Sequence, residues 1–171
     1  MVNNTRPHRE IVQVLEQEFA SLLEGLISFV GSVPPELLYR DSQLPNSQNP
    51  RRPAPTIGEQ ILKSAAVVEQ TFGGLTANLW DDPFEWTLQE TLSNADRIVE
   101  YIGEVDATRQ RAFACIADDA ALLKLVSVPS GKPRILLSLL LDTLVRASRY
   151  QGQAITTLKI LSAAGLPGFI I

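Results

Sequence analysis

Apolar residues recur at Ile11, Leu15, Phe19, Leu22, Leu23, Leu26, Ile27 and Val30, while Glu16, Gln17 and Glu24 fall off that stripe. The period is near 3.6 residues, at which one face of an α-helix repeats, so a first helix is predicted over Arg9 to Val30. A second stripe, Ile57, Ile61, Ala65, Val68, Phe72, Leu75 and Leu79, predicts a helix over Ile57 to Leu79. It opens on Thr56-Ile-Gly-Glu59, where the threonine oxygen can accept from a first-turn amide and the glutamate can reach back. The same signature at Thr87-Leu-Gln-Glu90 begins a third stripe, from Leu88 through Ala95, Ile98, Ile102, Val105 and Phe113 to Ile116. The fourth and longest helix, Arg134 to Ala164, is expected to be the core about which the bundle is organised. No stretch alternates with period two over a useful length, so strand is confined to a short pair near Val126 to Val128.

Gly31 to Pro55 holds six of the eleven prolines and reads as a crossover with one short turn of helix at Glu36 to Tyr39. The Gly73-Gly74 pair weakens the second helix late on, and Trp80-Asp-Asp-Pro83 ends it. Four amphipathic helices with these connections predict an all-α fold: a four-helix bundle of one domain, residues 1–171, with one long crossover between helices 1 and 2. The length of that crossover is expected to let the first two helices pack parallel. Trp80, Phe84 and Trp86 are expected to seal one end of the bundle.

Composition narrows the function. A formal charge of -4 and a pI near 5.0 leave no broad attraction for nucleic acid or anionic lipid. No run reaches the roughly 18 apolar residues of a membrane span, and the start resembles no signal peptide. A soluble cytoplasmic protein is expected. Cys115 has no second cysteine to pair with and reads as a buried inert thiol; His8, the one histidine, reads as a surface or capping residue. The fourth helix carries a polar interruption among small residues, Arg146-Ala-Ser-Arg-Tyr150-Gln-Gly-Gln153, and this is where a site is expected.

The order of parts resembles the DinB-like (YfiT-like) family of four-helix bundles. The resemblance rests on the crossover, Thr56-Ile-Gly-Glu59 with Glu69 further on, and Tyr150-Gln-Gly-Gln153 followed by Leu158-Lys-Ile-Leu161 and Ala-Gly-Leu-Pro167. It implies a divalent metal, zinc or nickel, held by one histidine of the second helix and two of the last. Members with that triad include thiol-dependent S-transferases. Here the matching positions are Ser64 (or Lys63, with a slip of one), Arg146 and Tyr150, so all three histidines are missing. Arginine offers only hydrogen-bond donors and no lone pair, and the expectation is a bundle without a metal cofactor.

Three readings follow. In the first, the chain is a non-enzymatic binding protein whose pocket, bounded by Ser64, Arg146, Tyr150 and Gln153, takes a small anionic or thiol ligand. Asp142 or Glu69 would compensate the Arg146 charge, and Lys63 would lie beside it. In the second, it is a thiol S-transferase-like enzyme with altered ligands, Tyr150 donating to a bound thiol. In the third, it acts as a homodimer, because the tail Leu166-Pro-Gly-Phe-Ile-Ile171 is too apolar to face water alone.

Overall fold

The computed structural model describes residues 8–41, 54–81, 83, 92–129 and 131–163. It is an all-α four-helix bundle with a long loop between the first two helices: α1 (Glu10–Ser32), α2 (Ile57–Ala77), α3 (Ala95–Ala114) and α4 (Leu136–Ala163). A 3-10 turn at Pro35–Leu37 follows α1, and another at Asp119–Leu123 follows α3. The two-residue strands β1 (Leu125–Val126) and β2 (Arg134–Ile135) pair antiparallel, Leu125 opposite Ile135, next to the strand-like pair expected from the sequence.

The centre of the bundle is α2, a correction to the expectation that the longest helix would hold it. Thirteen of its 21 residues are buried, against eight of 28 in α4. Ala65, Ala66, Val68 and Ser64 are small enough for α4 to lie close, and Ala147 and Ala154 answer them from the other side. Its start is the capping box expected there: the Thr56 hydroxyl accepts from the Glu59 amide at 3.3 Å, and the Thr56 amide donates to Glu59 Oε2 at 2.6 Å.

Helix directions follow from the contacts. Arg9 Nη2 donates to the Phe113 carbonyl and Arg109 Nη1 to the Glu16 carbonyl, so α1 and α3 run antiparallel. Gln60 meets Thr157 and Thr71 meets Thr143, so α2 and α4 are antiparallel too. The Gly58 amide donates to the Leu38 carbonyl at 2.7 Å, which places the start of α2 at the end of the bundle where α1 finishes. The expected parallel packing of α1 and α2 is therefore corrected: the end of α1 and the start of α2 lie at the same end of the bundle, so the two helices run antiparallel. α2 and α3 run parallel, with Tyr101 beside Glu69 and Phe113 beside Phe72.

The third helix starts later than Leu88. Asn94 is extended and its side chain accepts from the Arg97 amide at 3.0 Å, an N-cap that begins the helix at Ala95. The Thr87-Glu90 signature lies outside the described residues, as do Phe84, Trp86, Asn46 to Asn49 and the tail from Leu166. Cys115, expected to be buried, is exposed where α3 ends.

The two aspartates after α3 each close a helical start. Asp118 accepts from the Ala121 amide within its own turn. Asp119 reaches across the bundle: its Oδ1 accepts from the Val12 amide at 3.0 Å, and its own amide donates to the His8 carbonyl. Arg9, the residue at the α1 N-cap, contributes no side-chain cap, so Asp119 supplies it from 107 residues away. Burial works against the Asp119 charge, but the amides of Val12, Ile11 and Glu10 and the neighbouring His8 outweigh it and lower the pKa. A lowered carboxyl stabilises the fold above its unfolded pKa, and that contribution is lost as pH falls through the folded value. Asp119→Ala is expected to lower the melting temperature at neutral pH. The gap to the parent, followed by circular dichroism, should narrow as pH falls through the carboxylate range.

Candidate functional site

The second half of α2 builds one wall of a cavity. At Ala77 the helix stops on Asn78, which adopts the left-handed conformation (φ 56°) and donates its amide to the Gly74 carbonyl; the Leu79 amide donates to Gly73. This turn folds the chain back so that the Trp80 indole lies on Gly74, where a Cβ would come within 2.3 Å of the ring. Gly74 is thus a seat for the tryptophan and no mere weakening of the helix. Gln70 Nε2 holds the Trp80 carbonyl at 2.9 Å, and the indole Nε1 donates to Asn78 Oδ1 at 3.0 Å.

Between this returning segment, α2 and α3 lies a cavity of about 440 Å³, lined among others by Glu69, Gly73, Leu79, Asp81, Tyr101 and Arg111. Its fixed point is a hydrogen bond from the Tyr101 hydroxyl to Glu69 Oε2 at 2.5 Å. Tyr101 is 9% exposed, so its ring is anchored in the core while its oxygen orients the carboxylate. Arg111, further along α3, also lines the cavity, with Nη2 on the Thr108 hydroxyl at 2.9 Å. The walls are mostly apolar, and carboxylates and a guanidinium are spaced around them, an arrangement able to orient a small polar molecule by both ends.

The residues expected from the sequence are placed as follows. Ser64 is fully buried and donates to the Ala147 carbonyl at 2.9 Å in the α2–α4 seam. Arg146 and Gln153 are exposed, and Tyr150 and Lys63 half-buried. Asp142 pairs with Arg134, Nη1 to Oδ2 at 3.3 Å. Of the seven, Glu69 lies on the cavity wall. Tyr101 and Arg111 were not singled out from the sequence. Tyr101 offered one signal, a phenol within the apolar run Ile98-Ile102-Val105; Arg111 offered none.

A second cavity, between α1 and α3, contains Arg109, which is 4% exposed. Its Nε donates to Asp106 at 2.7 Å, its Nη1 to the Glu16 carbonyl at 3.2 Å, and its guanidinium lies 6.0 Å from the Phe113 ring centre. A cation satisfied in this way braces two helices.

Among the described residues no three of His, Cys, Asp and Glu are grouped to hold a metal. No helix among them is long and apolar enough to cross a membrane. Comparison of the chain with family models, curated proteins and solved structures finds no match.

Proposed function

We propose that this chain is a binding protein without a metal centre, a divergent relative of the DinB-like bundles that acts in the cytoplasm as a homodimer and takes a small polar ligand in the α2–α3 cavity. The oriented Glu69 carboxylate carries the reading. A carboxylate held by a largely buried phenol in an apolar-walled cavity is a fixed acceptor for an ammonium or amide N–H. Arg111, which also lines the cavity, suits a carboxylate or other anionic end. The ligand class this favours is small and zwitterionic, which widens the anionic or thiol ligand expected from α4 by adding a donor at its other end.

The test is thermal stabilisation of the purified chain by panels of small amines, carboxylates, thiols and zwitterions. A ligand at one hundred times its Kd should stabilise by about 2.7 kcal/mol. Glu69→Gln and Tyr101→Phe are expected to weaken binding, and Arg111→Ala to weaken it only for ligands with an anionic end. Arg146→Ala is the contrasting arm. If it removes binding while Glu69→Gln does not, the ligand sits at positions 64, 146 and 150. Thiol transfer switched on by added zinc or nickel would overturn the binding-protein reading in favour of the enzyme.

A further inference from the structure

The outer faces of α1 and α4 that lie side by side carry exposed apolar residues. On α1, Gln13, Glu16, Gln17 and Ala20 turn toward Arg109 and Gln110 of α3. The opposite flank turns toward α4: a Cβ on Gly25 would lie 3.2 Å from Gln151 Nε2. Ile11 and Glu18 precede Gly25 by fourteen and seven residues, so all three share that flank, with Val14 beside them. Ile11 is 50% exposed and Val14 60%. On α4, Thr143, Ala147 and Thr157 bury toward α2, and the stripe on the far side is Leu141, Val145, Ser148 and Gly152, with Leu141 46% and Val145 67% exposed. Beyond its own stretch of helix, nothing among the described residues lies within 4 Å of a Cβ built on Gly152. An exposed glycine in mid-helix weakens the helix, and it also lets a second backbone come close.

We propose that this α1–α4 face is the interface of the homodimer put forward above, with the two-fold axis running along the helices, so that α1 of each copy packs on α4 of the other. Charge decides for a second copy. The α1 side is edged by Glu10 and Glu18, both exposed, and the α4 side by Arg149 and Lys159, both exposed. The two helices run in the same direction, because each is antiparallel to a member of the parallel pair α2 and α3. Rotation about an axis along them therefore brings the acidic helix opposite the basic one with no axial shift. Gly25 and Gln151 are level, so Val14 comes to the height of Leu141 of the partner subunit. Glu18 comes to roughly 7.5 Å, along the axis, from Arg149 of the partner subunit, a span the two long side chains can share. An axis across the helices would set α1 against α1, acid against acid.

Sedimentation of the full chain tests this. The expected species has twice the 18.8 kDa of one chain. Val145→Asp, which places an unpaired carboxylate in the apolar strip, should raise the dissociation constant by about tenfold or more with the helical spectrum unchanged. Glu18→Arg and Arg149→Glu should each weaken association, and the double variant should restore it. A monomer at high micromolar concentration would overturn both the dimer and this face. A dimer indifferent to Val145→Asp and to the charge reversals would overturn the face alone.

Discussion

Phe72→Ala is expected to cost about 3–5 kcal/mol, a large share of the roughly 5–15 kcal/mol that holds a domain folded. Phe72 is fully buried and joins three helices. Its ring lies 5.0 Å from that of Phe19 on α1, nearly edge-on at 81°, and 5.4 Å from that of Phe113 on α3; Phe19 and Phe113 are 5.9 Å apart. Truncation removes the member common to the two closer ring pairs and leaves a void between helices whose backbones are fixed elsewhere. Urea denaturation should show a large fall in midpoint with little change in slope. A loss under 1 kcal/mol would mean that neighbouring side chains collapse into the space and that the triad is not the keystone its geometry implies.

Gly58→Ala is expected to cost about 1–3 kcal/mol or more. A Cβ there would lie 2.5 Å from Tyr39 Cε1, and neither partner is free to give. The Gly58 amide is bound to Leu38, and the Tyr39 hydroxyl donates to the Leu92 carbonyl in a short hydrogen bond. This one contact fastens the crossover to α2 and to the approach of α3. In a Tyr39→Ala background, where the ring is gone, the added methyl should cost much less; equal costs in both backgrounds would show that the clash is not the cause. The phenol adds a signature in alkali. Burial, and then the charge of Glu59, push its pKa up to about 12. A raised folded pKa means that the contribution is whole below the unfolded value near 10 and is lost as pH rises through 12. Stability should therefore fall between about pH 10 and 12, and less so in Tyr39→Phe.

These positions show how far the sequence reaches. Helical periodicity and the Thr56–Glu59 box are local, set within four or five residues, and they placed α1, α2 and α4 to within a few residues. That the chain carries one histidine was equally legible, since it is read directly from the composition. What needed the tertiary structure were pairings between distant residues. Asp119 lies after α3 in the sequence and caps α1; Gly74 looked like a helix weakener and proved to carry Trp80; Cys115 was expected to be buried and is exposed because α3 ends beside it. The cavity lay hidden for the same reason. Glu69 could be named from its helix, but its orienting partner Tyr101 is 32 residues away on α3, and only the parallel packing of α2 and α3 brings them together. Crossover length did not determine helix direction either. That was decided where Leu38 and Gly58 meet, by a backbone hydrogen bond whose geometry no pattern of side chains records.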